Sequence, residues 1–276
     1  MSDALAADQP RVAGMPMLGL GTWENADHEQ CTESVRTALG TGYRHVDTAQ
    51  AYGNERAVGR GIAAADVDRE DVFLATKVWI DSLSHGDVVH TTRESLDRLG
   101  VNSVDLLYVH WPARSYDPEE TLGAFAELYD DGLIDRVGVS NFEPADVERA
   151  VEVSDVPIFA NQVECHPMLP NEAVRAACED HDVEVVAYSP LARGAVFENP
   201  TLNRIAEKHA VSEARVSLAW LREKGVTAIP KATGADHVED NWASLDLDLD
   251  SEDVERIDAI GTTDRRVDPG FAPWNG

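Results

Sequence analysis

Short apolar runs rich in β-branched residues recur along the chain, and a stretch with the periodicity of an amphipathic helix follows each of them. The apolar runs are MLGLGTW, YRHVD, VFLATKV, VDLLYVHW, RVGVSNF, IFANQVE, VEVVAYSP and VTAIPK. The helical stretches span 28–39, 54–65, 87–99, 118–129, 144–151, 171–181, 202–209 with 213–223, and 238–245. The pattern therefore predicts eight strand-helix units in succession.

Eight such units predict an α/β fold, specifically a (β/α)8 TIM barrel. The 276 residues divide into about 34 per unit, the length of one βα repeat. Strands that are apolar throughout are typical of a parallel sheet covered by helices. The alternative, an open doubly wound sheet, needs a glycine-rich phosphate loop after an early strand. GLGTWE at 19–24 lacks the third glycine and precedes no predicted helix, so the pattern favours the barrel.

The two ends of the chain lack this alternation. Near the amino end, RVAGMPMLGLG places V-A-G-M between two short apolar stretches, which predicts a β-hairpin that closes the barrel floor. The last residues, TTDRRVDPGFAPWNG, are rich in proline, glycine and aromatic residues and predict a short coil. No linker or low-complexity segment interrupts the pattern between them, so we expect a single barrel domain over 1–276.

Titratable side chains come at the predicted carboxyl ends of successive strands, where the active site of a TIM barrel lies. Strand two ends with Asp47, followed by Tyr52; strand three ends with Lys77, and strand four with His110. A buried lysine needs a counter-charge, and Asp47 is the nearest candidate. A cationic Lys77 is expected to lower the pKa of the Tyr52 phenol and so suit it to act as a general acid. His110 would bind the same carbonyl oxygen.

The residues alone leave other interpretations open. A single aspartate, tyrosine or histidine at a strand end often forms a turn or packs in the core with its hydrogen bonds satisfied. A class I aldolase that uses Lys77 as a Schiff-base nucleophile explains the buried lysine nearly as well. The strand-end cluster therefore indicates carbonyl chemistry without deciding between reduction and aldol cleavage.

The charge of the chain argues against several classes of partner. It has 51 acidic and 23 basic residues and a formal net charge of −28, and such a surface repels nucleic acid and anionic membranes. Only four of the basic residues are lysines, against nineteen arginines. Acidic residues spread over the whole chain, with few lysines, suit a protein that stays hydrated in concentrated salt, so we expect a halophile's cytosol. An acidic mesophilic enzyme is the alternative.

The cysteines and the amino terminus indicate a reducing compartment. Cys31, Cys165 and Cys178 are odd in number and widely spaced, which predicts buried free thiols rather than disulfides or a zinc site. No other metal site is expected. The amino-terminal residues MSDALAADQPRVAGMP contain aspartates and no long apolar run, which argues against a signal peptide or a membrane anchor. We therefore expect a cytoplasmic protein.

Three stretches resemble the signature sequences of the aldo-keto reductase family. GYRHVDTAQAYGNERAVG at 42–59 is similar to the first signature throughout, RVGVSNF at 136–142 to the second, and AIPKATGADHVEDN at 228–241 to the third. MLGLGTW, HW, NQVE and YSPLARG also fall where the family has them, so the resemblance covers almost the whole chain. It implies an NAD(P)H-dependent carbonyl reductase in which Tyr52 donates the proton, with the catalytic tetrad Asp47, Tyr52, Lys77 and His110.

The resemblance also implies where the ligands bind. The nicotinamide amide would be held by Ser140, Asn141 and Gln162, and the nicotinamide ring would stack on Tyr188. The cofactor residues that it implies are Gly21, Thr22, Asp47, Ser140, Asn141, Gln162, Tyr188, Ser189, Leu191, Gly194, Lys231, Ala232, Thr233, His237, Asp240 and Asn241. The substrate residues that it implies are Trp23, Tyr52, His110, Trp111 and Trp274.

The third signature departs from the family where the cofactor's 2′-phosphate is bound. Lys231 is retained, but Ala232 stands where the family usually has serine, and His237 stands where it has the arginine that binds this phosphate. A neutral histidine binds phosphate less well than an arginine, which can donate two parallel hydrogen bonds. We therefore expect both cofactors to be used, with NADPH favoured over NADH.

The short segment after Trp111 and the short tail resemble the prokaryotic branch of the family, which acts on small aldehydes, ketones and diketo sugar acids. Family members are often monomers, and we expect a monomer here. A few relatives serve mainly as cofactor-sensing regulatory proteins. That alternative function predicts tight cofactor binding with negligible turnover.

Overall fold

Eight parallel strands form a closed barrel in the computed structural model, which describes residues 9–261 and 263–275. The barrel strands are β3 (Leu20–Gly21), β4 (His45–Asp47), β5 (Phe73–Val78), β6 (Leu106–Val109), β7 (Val137–Ser140), β8 (Ile158–Glu164), β9 (Glu184–Tyr188) and β10 (Thr227–Ala228). Each strand pairs with the next one along the chain. Parallel bridges from Leu18 to Ala228 and from Gly21 to Lys231 join the first strand to the last. The predicted (β/α)8 barrel is confirmed.

Helices connect the strands close to where the periodicity predicts them. In the described part of the chain they are α1 (His28–Thr41), α2 (Glu55–Ala63), α3 (His85–Leu99), α4 (Pro118–Asp130), α5 (Pro144–Val153), α6 (Glu172–Asp180), α7 (Pro200–His209), α8 (Glu213–Glu223), α9 (Ala235–Trp242) and α10 (Ser251–Asp258). The sequence pattern did not predict α10. The Asp250 carboxylate starts this helix by accepting the Asp253 backbone N–H at 2.9 Å, a standard N-cap.

The predicted hairpin closes the barrel floor. It consists of β1 (Arg11–Val12) and β2 (Met15–Pro16), which pair antiparallel. Its turn residues Ala13 and Gly14 have φ values of 46° and 88°, as two-residue hairpin turns require. Met15 is fully buried and packs with side chains inside the barrel, among them Phe73 and Leu106. The described tail residues, 263–275, form a coil with one short 3₁₀ turn at Pro273–Asn275, also as predicted.

The structure also describes the cysteines and the apolar character of the helices. Cys31, Cys165 and Cys178 are free and buried, as the sequence predicts. None of the helices in residues 9–261 and 263–275 is long and apolar enough to cross a membrane.

Helix α2 packs against the end of α3 through a glycine, and this contact gives a stability prediction. A Cβ at Gly59 would overlap the carbonyl oxygen of Leu99, whereas a Cβ at Gly123 in α4 would meet no atom within 4 Å. We expect Gly59→Ala to lower the free energy of unfolding by about 1–3 kcal/mol, because the backbone must move apart. The matched change Gly123→Ala should raise it by about 0.5–1 kcal/mol. Urea unfolding measures both, and equal effects would contradict the packing explanation.

Candidate active site

A cavity of about 660 Å³ opens at the carboxyl ends of the barrel strands. Thirteen of the residues singled out in the sequence line it: Gly21, Thr22, Trp23, Asp47, Tyr52, His110, Trp111, Ser140, Asn141, Gln162, Tyr188, Ser189 and Lys231. They come from the ends of all the barrel strands except β5, or from the loops that follow them. The barrel therefore brings into one place residues that are far apart in sequence, as TIM-barrel sites require.

Lys77 and Asp47 form a buried ion pair at the base of this cavity, where Asp47 is part of the lining. Their side chains are 1% and 2% exposed, and Lys77 Nζ donates a hydrogen bond to Asp47 Oδ1. Lys77 Nζ also donates to the Thr48 carbonyl oxygen at 2.9 Å and lies 3.4 Å from the Tyr52 hydroxyl oxygen. Burial lowers the pKa of Lys77, and the Asp47 carboxylate acts in the opposite direction. All three N–H bonds of the ammonium thus have an acceptor.

The proposed proton donor, Tyr52, has its hydroxyl above this pair. Burial first, and then the charge of Asp47, raise the pKa of the phenol well above its usual value. The position of Lys77 predicted a lowered pKa for this phenol, and that prediction is wrong, because the pKa is raised. Burial costs the tyrosinate far more hydration free energy than it costs the neutral phenol, so it favours the protonated form. Lys77 does not offset this cost, because its charge is already paired with Asp47. Tyr52 therefore keeps its proton throughout the neutral pH range.

His110 lies beside Tyr52 as an uncharged ring. The ring centroids of His110 and Tyr52 are 5.8 Å apart in an edge-on arrangement, and Trp79 packs on His110 at 5.1 Å. Burial and the neighbouring charge of Lys77 hold the pKa of His110 well below its usual value. A neutral imidazole carries one N–H donor, so His110 and Tyr52 together offer two donors that can bind one carbonyl oxygen.

The residues predicted to hold the nicotinamide form one hydrogen-bonded chain. The Tyr188 hydroxyl donates to Asn141 Oδ1 at 2.7 Å, and Asn141 Nδ2 donates to Ser140 Oγ at 3.0 Å. Ser140 Oγ donates to the Gln162 carbonyl oxygen, and Gln162 Nε2 donates to Asp47 Oδ2 at 2.8 Å. This hydrogen-bonded chain fixes one wall of the cavity and joins it to the ion pair.

A second group of predicted residues does not line the cavity: Lys77, Leu191, Gly194, Ala232, Thr233, His237, Asp240, Asn241 and Trp274. Lys77 lies below the cavity. Ala232 is buried and His237 is exposed, while the Asp240 carboxylate accepts hydrogen bonds from Ser212 and Arg215. Trp274 packs against Trp111 with 5.5 Å between ring centroids.

The cavity also contains residues that the sequence analysis missed: Ala51, Trp79, Arg193, Ile229, Arg266, Val267, Asp268, Pro269 and Phe271. Trp79 directly follows β5, so its position at a strand end was an available signal. Arg193 lies over the Trp23 ring at 4.8 Å and its guanidinium is 3.1 Å from the Glu24 carboxylate. Arg266, Val267 and Phe271 contact residues more than 100 positions away, which local patterns do not reveal.

The fold and the site together define a TIM-barrel enzyme with a ligand cavity over a buried Asp-Lys pair, a tyrosine and a histidine. The chain belongs to the aldo/keto reductase family, whose profile matches residues 17–262. Members of this family are NAD(P)H-dependent oxidoreductases, and the chain is one of them.

Several known proteins are similar over nearly the full length. The chain is 38% identical over 266 residues to methylglyoxal reductase DkgB of Escherichia coli O157:H7, covering 95% of this chain and 99% of that one. It is 37% identical over 255 residues to glyoxal reductase of Bacillus subtilis (strain 168), covering 92% of each. The solved structure of a putative 2,5-diketo-D-gluconic acid reductase B superimposes with a TM-score of 0.91, at 34% identity, covering 94% of this chain and 92% of that one.

Proposed function

We propose that this protein reduces the carbonyl group of small aldehydes, ketones or keto sugars to an alcohol, with NADPH or NADH as the hydride donor. The observation that carries the proposal is a protonated, half-buried Tyr52 beside a neutral His110, both lining one cavity. Similarity to a glyoxal reductase and a methylglyoxal reductase supports this substrate class.

Four residues have separate roles in this reaction. Bound NAD(P)H supplies a hydride to the carbonyl carbon. Tyr52 gives its proton to the carbonyl oxygen, which completes the alcohol, and His110 positions that oxygen by a hydrogen bond. The Lys77 ammonium, held by Asp47, stabilises the negative charge that remains on the Tyr52 oxygen. Tyr52 then takes up a proton from solvent before the next turnover.

The cavity fits a nicotinamide cofactor by its shape and its donors. Tyr188 is half-buried and presents a ring at the cavity wall, where Ser140, Asn141 and Gln162 line the same side. Arg193 and Lys231 bring positive charge to the cavity of a chain whose net charge is −28. Cations at this edge suit the anionic pyrophosphate. We assign cofactor binding to the whole set named in the sequence analysis and substrate binding to Trp23, Tyr52, His110, Trp111 and Trp274.

The cofactor preference that we propose is NADPH over NADH, with both used. Lys231 is exposed at the cavity edge, where it can attract a 2′-phosphate. The Ala232 side chain cannot donate a hydrogen bond to that phosphate, and His237 is exposed on α9. The positive charge for selecting NADPH therefore rests mainly on Lys231.

Restoring an arginine on α9 should sharpen this preference. We expect His237→Arg to lower the Kd for NADPH by about tenfold and leave that for NADH within about twofold, because only NADPH carries the phosphate that a guanidinium binds. Quenching of tryptophan fluorescence measures both constants. Glu239→Arg, an equally exposed position on the same helix, is the control for added charge. An equal gain for both cofactors in His237→Arg would show that His237 does not face the 2′-position.

The reaction itself is tested by the absorbance of NADPH, and separately NADH, at 340 nm with a panel of small aldehydes and ketones. We expect oxidation that requires both cofactor and carbonyl, in molar KCl and in dilute buffer compared side by side. Tight NADPH binding with no oxidation would favour the regulatory alternative. Borohydride trapping of substrate on Lys77 would favour the aldolase, although the buried, fully hydrogen-bonded Lys77 amine is poorly placed for that attack.

The setting that we propose rests on the sequence. One barrel domain over 1–276 acts as a monomer in the cytoplasm, with no nucleic-acid partner, and its acidic, lysine-poor composition is suited to concentrated salt. Retention of activity in molar KCl and unfolding in dilute buffer would support the salt adaptation, whereas the reverse would refute it.

A further inference from the structure

A buried carboxylate at the end of β8 holds the carboxyl-terminal part of the chain. Glu164 is fully buried. Its Oε1 accepts the backbone N–H of Arg266 at 2.8 Å and its Oε2 accepts that of Val267 at 3.0 Å. Hydrogen bonds to a carboxylate are stronger than those between neutral groups. Residues 264–272, which we call the tail segment, are thus pinned to a barrel strand about 100 positions away.

The tail segment forms one wall of the cavity. It contributes Arg266, Val267, Asp268, Pro269 and Phe271 to the lining. The Phe271 ring packs edge-on against Trp79 at 6.1 Å and Trp111 at 5.5 Å, and Trp79 in turn packs on His110. The distance between this wall and the Tyr52 hydroxyl therefore depends on where Glu164 holds the tail segment.

Glu164 is itself fixed by its neighbours. His166 Nε2 lies 3.1 Å from Glu164 Oε1, and both side chains have no exposed surface. Within the described residues, His166 Nδ1 has no hydrogen-bond partner, so the ring is held through its Nε2 contact with Glu164. The loop after β8 also holds the tail segment directly, since the Met168 carbonyl oxygen accepts the Asp264 backbone N–H at 2.9 Å.

We propose that Glu164 is a positioning residue for carbonyl reduction, which fixes the tail segment and thereby sets the fit of the substrate at Tyr52. A fully buried carboxylate is costly, and a neutral side chain at a strand end would avoid that cost. Here the carboxylate is the group that can accept two adjacent backbone N–H groups at once. The proposal rests on the proposed function, but the anchor can be tested without it.

The anchor is tested by limited digestion of the full-length protein with trypsin. Glu164→Gln keeps the size of the side chain but replaces one carboxylate oxygen by an amide N–H₂ group. That group is a donor, so it cannot accept a hydrogen bond from the backbone N–H of Arg266 or Val267. We expect cleavage after Arg265 or Arg266 to become at least about tenfold faster, because a pinned backbone must open before a protease can bind it. Glu184→Gln removes the same charge from the opposite end of the neighbouring strand β9, and its cleavage should match the wild type. Equal cleavage of Glu164→Gln and the wild type would overturn the anchor.

The positioning role is tested by steady-state kinetics on the same variants. Glu164→Gln should raise KM for the carbonyl substrate by about tenfold, while the Kd for NADPH stays within about threefold, because the tail segment lines the substrate side. An unchanged KM despite faster cleavage would overturn the positioning role. If the wild type reduces no carbonyl, the proposed function fails, and the digestion still decides the anchor.

A measurement on the wild type covers the case in which Glu164→Gln does not fold. The backbone amides of Arg266 and Val267 should exchange with solvent deuterium at least about tenfold more slowly than those of Arg265 and Asp268. Equal exchange of all four amides would overturn the anchor without any variant.

Discussion

The variant Tyr52→Phe is expected to lose about 10²- to 10⁴-fold in kcat, the contribution of one well-placed proton donor. The phenol hydroxyl lines the cavity, keeps its proton at neutral pH and lies 3.4 Å from the Lys77 ammonium. Phenylalanine preserves the ring packed against His110 and removes only that oxygen. Steady-state oxidation of NADPH at saturating carbonyl measures the loss.

Cofactor binding separates this catalytic effect from general damage. The side-chain hydrogen bonds of the predicted nicotinamide residues Ser140, Asn141 and Gln162 go to groups other than the Tyr52 hydroxyl, so the Kd for NADPH should stay within about twofold of the wild type. Tyr129→Phe removes a phenol that is 43% exposed on α4, and should leave kcat unchanged. Wild-type turnover in Tyr52→Phe would rule out Tyr52 as the acid.

The variant Lys77→Met is expected to lower the free energy of unfolding by about 3–5 kcal/mol, because it leaves the Asp47 charge buried without its cation. Asp47 would retain the hydrogen bond from Gln162 but lose the ammonium. The same change removes the charge that stabilises an ionised Tyr52, so kcat should fall as well. Urea denaturation monitored by circular dichroism measures the stability.

Two further variants test this explanation. Adding Asp47→Asn to Lys77→Met removes the unpaired charge and should recover part of the lost stability. Lys224→Met breaks a pair with Asp258 near the surface, where both partners are partly exposed, and should cost about 1 kcal/mol or less. If the double variant has a lower free energy of unfolding than Lys77→Met, the unpaired charge of Asp47 is not the cause of the lost stability.

Most of the barrel follows from the sequence because its strands are buried on both faces. Runs such as FLATKV in β5 are buried at every position, and a buried parallel strand is mostly apolar on both faces, so it stands out from the helices beside it. Helix α10 has no such signal. Its sequence SEDVERID is largely charged, and only Asp253 and Ile257 are buried in it, so an apolar stripe does not mark it.

The sequence predicted the parts of the candidate site in which a reactive side chain lies at the end of an apolar strand. Asp47, Lys77 and His110 each follow an apolar run, so topology alone places them together. The pKa of Tyr52 depends on burial and on the nearby charge of Asp47, which spacing does not give. The contact of Glu164 with the tail segment joins residues far apart in sequence through backbone N–H groups, which have no residue-specific signature.

The closure of the barrel also sets the order in which the protein can become functional during its synthesis. Gly21 and Lys231 both line the cavity, and they meet only where β3 pairs with the segment after β10. A nascent chain therefore exposes an open sheet edge until nearly all of it has left the ribosome, and contacts this distant in sequence form late. Truncated chains that end before residue 227 lack β10 and Lys231. We expect them to bind neither cofactor nor substrate and to need a chaperone that shields the open sheet edge.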